Sequence, residues 1–251
     1  MIDFEKQNIL VTGASSGIGK SIALCFASMG ANVLATGSRN KCEFNYSNIT
    51  YKKVNFLNKS EFKVFLEFIT TKPFDVCVNN AGINRKNSFT NTRQKDWEDT
   101  LFLNTEAPMK IIKNIINNMI DQKHGRIVNI SSLWSMIGAP NRLSYISSKH
   151  ALNGITVSAA SEFSKYNVLV NSVSPGFVLT DMTKNNLNKK QIDKIIASIP
   201  INRMCEPDEI AKVVMFLCSK SNSYISGQNL VVDGGMSTCC VYFDGVVDES
   251  I

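Results

Sequence analysis

Seven short apolar runs, near residues 8–12, 32–36, 51–55, 74–79, 126–131, 167–174 and 228–232, alternate along the chain with helical patterns near 17–29, 60–70, 94–121, 145–164 and 207–219. Alternation of this kind specifies an α/β fold in which a doubly wound parallel sheet of about seven strands is covered by helices on both faces. The chain has 251 residues and no Gly/Ser- or Pro-rich linker divides it, so a single domain over 1–236 is expected, followed by an extension over 237–251.

The first strand-to-helix junction is specific. The run Asn8-Ile-Leu-Val-Thr12 flows into Gly13-Ala-Ser-Ser-Gly17-Ile-Gly19 and then into the helical pattern Lys20 to Met29. Glycines permit a sharp turn and close backbone approach, while the free N–H groups and positive dipole end of the following helix attract a pyrophosphate. Strand, glycine turn and helix in that order are the context of a Rossmann-type dinucleotide site, although the spacing here is Gly-x-x-x-Gly-x-Gly rather than Gly-x-Gly-x-x-Gly. In such a sheet the ligand lies beyond the carboxyl ends of the strands, where this turn, Asn79, Ser132 and Pro175 all fall.

Tyr145-Ile-Ser-Ser-Lys149, with Ser132 thirteen positions upstream, supplies candidate chemistry. Residues at i and i+4 share one helix face, so the phenol and the ammonium can address one bound molecule. A free phenol has a pKa of about 10. One cation at about 4 Å, at an effective dielectric near 20, supplies about 4 kcal/mol, enough to move that value roughly three units toward neutrality.

With these motifs in place, the chain resembles the short-chain dehydrogenase/reductase family. Its markers appear in order: Thr12 to Gly19, Asn79-Asn80-Ala81-Gly82 after a strand, Asn104 within a helix, Ser132 at a strand end, Tyr145 and Lys149, Pro175-Gly176 with Thr180, and Val232-Asp233-Gly234-Gly235. The resemblance implies that Tyr145 protonates a substrate carbonyl oxygen as hydride arrives from a nicotinamide, that Ser132 holds and polarises that oxygen, and that Lys149 lowers the Tyr145 pKa and bonds the nicotinamide ribose. Asn104 would keep a water in the proton relay. Cofactor contacts would come from Gly13, Ser15, Ser16, Gly17, Ile18 and Gly19, from Asn79, Ala81 and Gly82, and from Pro175, Gly176 and Val178 against the ring, with Thr180 near the carboxamide. Within the family the stretch 181–205, Pro207 to Ala211 and Tyr224 to Gln228 are most similar to 3-oxoacyl-[acyl-carrier-protein] reductases.

The second strand bears on the cofactor. An NAD enzyme normally carries an acidic side chain at its end, whereas this chain has Gly37-Ser38-Arg39. Ser38 can hydrogen-bond a 2′-phosphate and Arg39 can pair with its charge, so NADP(H) is expected ahead of NAD(H). Residues 40–50 replace the usual helix before the third strand and have the pattern of a loop, and Asn55-Phe56 stands where relatives often have Asp-Val beside the adenine.

The substrate side is less defined. Residues 181–205 form a polar, helical excursion that looks like a lid over the substrate. An acidic carrier protein steered by basic residues near the site is the leading partner. Lys123 matches one basic docking position, but Tyr166 falls where the other is usually Arg, with Lys165 adjacent; Trp134 and Met136 give the pocket individual character. A small carbonyl compound such as a sugar or polyol is the alternative substrate, and a cofactor-binding sensor without turnover is a third reading. The family forms dimers or tetramers, and Trp97, Leu101 and Met109 on the 94–121 helix offer apolar contacts for a homo-oligomer beside the 145–164 helix. In the extension, Val241-Tyr-Phe243 suggests docking onto a neighbour or over the pocket.

Composition removes other classes. No stretch approaches the eighteen or more apolar residues of a membrane span, and residues 1–5 lack a secretory pattern, so a cytoplasmic protein is expected. The charge of +6 is scattered without interleaved aromatics, which argues against a nucleic-acid partner. Cys25, Cys42, Cys77, Cys205, Cys218, Cys239 and Cys240 form no Cys-x-x-Cys pair, and His124 and His150 have no metal-ligand spacing, so reduced thiols and no metal are expected. His150, beside Lys149, is read as a packing or solvent-facing residue.

Overall fold

The structure is a computed structural model that describes residues 3–180, 183 and 188–239. Seven strands, β1 Asn8–Val11, β2 Asn32–Gly37, β3 Ile49–Lys53, β4 Val76–Asn79, β5 Gly125–Ile130, β6 Val168–Pro175 and β7 Asn229–Val232, form one parallel sheet in the order β3-β2-β1-β4-β5-β6-β7. The helices are α1 Gly17–Ser28, α2 Lys59–Thr70, α3 Gln94–Leu101, α4 Ala107–Asp121, α5 Leu143–Phe163, α6 Lys189–Ala197 and α7 Pro207–Cys218. Strand order reverses beside β1, which pairs with β2 on one side and β4 on the other, through Ile9↔Val33 and Ile9↔Val76. This is a doubly wound Rossmann-type sheet, and the reversal opens a crevice at the carboxyl ends.

Strand periodicity assigns side chains to two cores. Ile9, Val11, Val76, Val78 and Val128 face α1 and α7, where Ile22, Phe26, Ile210 and Val214 pack. The alternate residues Leu10, Cys77 and Ile127 face Phe65, Ile69, Ile111 and Ile115 of α2 and α4. A strand buried on both faces must be apolar at successive positions, which is why the sequence shows runs there rather than alternation.

Two elements differ from the sequence reading. β3 starts and ends two residues before the expected 51–55; it ends early because Val54 and Phe56 leave the sheet to pack in the second core, with Phe56 4.9 Å from Phe62 and 5.2 Å from Phe65 between ring centroids. The expected helix over 94–121 is broken into α3 and α4 by a π turn at Phe102–Glu106. The loop expected over 40–50 is observed over 40–48, since β3 takes residues 49 and 50, and it is pinned by Asn48, whose Nδ2 donates to the carbonyls of Ala27 at 2.9 Å and Ala31 at 2.8 Å. α6 supplies the helical part of the 181–205 excursion and opens on a capping box between Asn188 and Gln191. Residues 181–182 and 184–187 of the expected lid, and Val241 to Phe243 of the extension, lie outside the described residues. Among the described residues no helix is long and apolar enough to cross a membrane, and no group of three or more His, Cys, Asp or Glu could hold a metal ion.

Candidate active site

The glycine turn is held by a residue absent from the expected contacts. Asn80 donates through Nδ2 to the carbonyls of Thr12 at 3.0 Å and Gly13 at 2.9 Å, while Thr12 Oγ1 accepts from the amides of Asn80 at 3.0 Å and Ala81 at 3.1 Å. A Cβ at Gly19 would collide with Asn80 Nδ2 and the Gly13 carbonyl, and Gly13 adopts a left-handed φ of 65°. Above Gly17 stands Thr180, whose Cγ2 would be 3.2 Å from a Cβ there. α1 begins with Ser16 making no side-chain cap bond and with no acidic residue in its first turn. Its leading amides, at Gly17, Ile18 and Gly19, are thus free for an anion, which fits a dinucleotide pyrophosphate.

Asn79 departs from its expected place. Its side chain is buried inside the sheet, donating to Asn129 Oδ1 at 2.9 Å, and Asn129 donates on to Thr156 Oγ1 at 2.8 Å. It is in phase with buried Cys77, so its amide cannot face the crevice; Asn80 takes the position at the turn, with Ala81 beside Gly13. Phe56 likewise turns its ring into the core, leaving its backbone as the part it can present, while Asn55 is exposed with Oδ1 accepting from Leu57 N at 3.1 Å.

At the end of β2 a cleft of about 400 Å³ is lined by Ser15, Ser16, Gly17, Lys20, Arg39 and Thr180 among others. Gly37 is required there, since a Cβ would lie 2.9 Å from Ser15 Oγ and from Tyr51 Oη. Tyr51 donates to the Arg39 carbonyl at 2.8 Å and fixes the backbone that carries exposed Ser38 and Arg39. Lys20 is a second cation that the sequence reading passed over. Its signal was present, one residue past Gly19 in the first turn of a helix that receives an anion.

A crevice of about 660 Å³ runs beside this cleft and contains Ser132, Tyr145 and Lys149 on one wall, Ile18 and Gly82 on another, and Pro175, Gly176, Val178 and Thr180 across it. Ser132 follows β5 and caps a short turn, its Oγ accepting from Trp134 N at 3.2 Å. Tyr145 and Lys149 both project from α5. The Lys149 Nζ donates to the Ile130 carbonyl at 2.7 Å and lies 5.7 Å from the Tyr145 ring centroid. Asn104 sits in the π turn, fully buried; its Oδ1 accepts from Ile83 N at 2.9 Å, and its Nδ2 donates to Ile83 O at 2.9 Å and Ser148 Oγ at 3.0 Å. A π turn widens the helix by one residue, a distortion frequent at functional sites. His150 is exposed, its Nδ1 lying 3.0 Å from the Ile146 carbonyl of its own helix.

The titration of this wall corrects one expectation. Tyr145 was expected to be acidified by Lys149, yet its pKa is raised above 10: burial of the phenol is the largest influence, opposed by a hydrogen bond with Ser132 and by the charge of Arg142. Burial also pulls Lys149 down to about 8, because its ammonium is removed from water with a carbonyl for a partner rather than a carboxylate. The phenol thereby holds its proton at neutral pH.

The substrate side carries groups not foreseen in the sequence. Asn84, Arg85, Lys86, Arg142 and Phe177 line the crevice with Trp134, whereas Met136 does not. Buried Asp96 ties this wall together, accepting from Arg93 Nε at 2.7 Å and Asn87 Nδ2 at 3.0 Å and lying 3.8 Å from Arg85 Nε. The Arg93 bond holds its carboxylate below the usual range. Lys123 and Lys165, expected as basic groups near the site, instead precede β5 and β6. They lie at the opposite end of the sheet from the crevice, about 20 Å away along strands of this length.

Comparison with known proteins gives consistent results. A family model described as enoyl-(acyl carrier protein) reductase matches residues 13–237. The 3-oxoacyl-[acyl-carrier-protein] reductase FabG of Vibrio cholerae is 36% identical over 242 residues, covering 94% of this chain and 99% of its own. Among solved structures, a candidate NAD(P)-dependent gluconate 5-dehydrogenase from Beutenbergia cavernae, with NADP bound at low occupancy, superposes with a TM-score of 0.86 at 30% identity, over 94% of this chain and 98% of that one. A 4-hydroxyisoleucine dehydrogenase mutant complexed with NADH and succinate has a TM-score of 0.87 at 27% identity, over 92% and 98%.

Proposed function

The chain belongs to the short-chain dehydrogenase/reductase family of oxidoreductases, and from that membership we propose that it uses NADPH to reduce a ketone to a secondary alcohol. The observation that carries this reading is the meeting of Ser132, Tyr145 and Lys149 on one wall of a crevice continuous with an anion-binding glycine turn. The bound dinucleotide supplies the hydride that reaches the carbonyl carbon. Tyr145 gives its hydroxyl proton to the carbonyl oxygen, and its raised pKa keeps it in the protonated state that an acid requires. Ser132 holds the same oxygen, Lys149 bonds the nicotinamide ribose, and Asn104 fixes the wall that supports the relay returning a solvent proton to the tyrosine. Pro175, Gly176 and Val178 bound the ring site, with Thr180 at its edge.

NADPH is favoured over NADH because Arg39 and Lys20 line the cleft at the end of β2, exposed Ser38 follows that strand, and no carboxylate lines the cleft among the described residues. A carrier-bound 3-oxoacyl group is the first substrate reading, supported by the Vibrio relative. A small polar carbonyl compound is the second, supported by the cations of the crevice and by the gluconate 5-dehydrogenase likeness. Cytoplasmic action as a homo-oligomer completes the reading, with Met109 of α4 and Val157 of α5 as exposed apolar contacts, 38% and 57% accessible. Initial rates with NADPH and NADH across acetoacetyl thioesters, sugars and small ketones test it. NADPH should give the higher kcat/KM; equal efficiency refutes the cofactor preference, and a silent panel with tight NADPH binding favours a sensor.

A further inference from the structure

The wall of the crevice beside Tyr145 is positively charged. Arg85, Lys86 and Arg142 line it together with Lys149, and its described lining residues include no carboxylate. Two of these cations have occupations already, since Lys149 donates to the Ile130 carbonyl at 2.7 Å and Arg85 leans on Asp96 at 3.8 Å. Arg142 is different. It is half-buried, its guanidinium carbon lies 5.1 Å from the centroid of Trp134, and Trp134 is braced edge-on by Phe177 at 6.1 Å. A guanidinium held over an aromatic face by cation–π attraction keeps its N–H donors for a ligand.

The backbone that carries it is equally fixed. A bridge joins Asn87 to Arg142, with Asn87 N donating to Asn141 O at 3.2 Å, and Asn87 is itself tied to buried Asp96. Arg142 is the residue before α5, three positions ahead of Tyr145, and both side chains line the crevice. Its charge is near enough to pull the Tyr145 pKa down, and burial holds its own pKa below the ordinary guanidinium value. A cation removed from water is stabilised when an anion completes its hydrogen bonds.

We propose that Arg142 binds a carboxylate of the substrate, only a few bonds from the reacting carbonyl, and so selects small keto acids over neutral ketones. This deepens the second substrate reading, a small polar carbonyl compound, in place of the carrier-bound one, and rests on the proposed carbonyl reduction. Arg142 and Tyr145 must reach one molecule together, which suits a small acid; the phosphate of a pantetheine arm is at the far end of a long chain from its thioester carbonyl.

The test uses NADPH oxidation with 2-oxo-, 3-oxo- and 4-oxopentanoate and the methyl ester of each. At least one acid should exceed its ester in kcat/KM by about 10- to 100-fold, the value of a charge-assisted hydrogen bond. Arg142→Gln should bring that ratio near one, and Arg142→Lys should restore part of it. Calorimetry on the Tyr145→Phe protein with NADP⁺ reads binding without turnover, and there the acid should bind more tightly than the ester. Equal acids and esters throughout, or a ratio that survives Arg142→Gln, overturns the proposal. If no compound is reduced but carboxylate binding is lost with Arg142→Gln, the anion site stands and the reductase reading falls. If an acetoacetyl thioester is reduced while no acid binds, the reductase reading stands and the anion site falls.

Discussion

Asn104 grips the backbone of Ile83 at both ends, accepting from its N–H and donating to its C=O, each at 2.9 Å. Gly82, which precedes Ile83, lies against this amide; a Cβ there would be 3.0 Å from Asn104 Oδ1 and 3.7 Å from Lys149 Nζ. The crevice wall is thus set by a side chain in a π turn rather than by the strand that leads into it. Asn104→Ala leaves the Ile83 groups and Ser148 Oγ short of a partner in a buried place, so stability should fall by about 1–3 kcal/mol. Urea denaturation checks this, and an unchanged midpoint would show that the wall is held by something else.

Tyr145→Phe removes the proton donor and keeps the ring. Turnover should drop about 10²- to 10⁴-fold, the usual worth of positioned proton transfer. NADPH fluorescence titration should give nearly the parental dissociation constant. A variant reducing substrate at near-normal rate would take Tyr145 out of the mechanism.

Lys149 makes the fold less stable near neutrality. Its pKa falls to about 8 on burial from an ordinary 10.5, so between those values the unfolded chain binds a proton that the folded one does not. Stability therefore rises with pH through the window from about 8 to 10.5, and below it the cost is present in full, about 3 kcal/mol. Losing the bond to the Ile130 carbonyl offsets part of this in Lys149→Met. That variant should melt several degrees higher than the parent at pH 7, with the gap closing by pH 10.5. A lower melting temperature at pH 7 would contradict the burial argument.

Gly19 and Gly138 form a paired test. A Cβ at Gly19 meets Asn80 Nδ2 and the Gly13 carbonyl, whereas one at Gly138 meets nothing within 4 Å. Gly19→Ala should weaken NADPH binding at least tenfold by displacing the turn, while Gly138→Ala should leave it unchanged. Equal affinities for the two variants would mean that the turn tolerates displacement.

Most of the architecture was legible because apolar runs and helical patterns are local properties. The boundaries of β1, β4, β5 and β6 fall within two residues of those read from sequence. β3 is displaced by two residues at both ends, since Val54, read as a strand residue, packs instead in the core with Phe56, Phe62 and Phe65. Ser132, Tyr145 and Lys149, which meet in the crevice, stood out by their spacing, whereas Asn104 was marked only by the resemblance to the family. Asn79 and Asn80 were not distinguishable, since which of two adjacent side chains enters the sheet depends on strand phase. Lys20 and Arg142 left weak signals, one in the first turn after the glycines and the other three residues before Tyr145. Neither is informative until the cavity it lines is known.

The sequence alone determined the parallel sheet, the glycine turn and the presence of a tyrosine and a lysine on one helix face, because these follow from period and from backbone sterics. Only the tertiary structure decided the charge states on that face. Burial lowers the pKa of the Lys149 ammonium and raises that of the Tyr145 phenol, and Arg142, held over the ring of Trp134, puts a second cation beside them. Solvation of a charge depends on everything around it in space, and that neighbourhood is assembled from segments far apart along the chain.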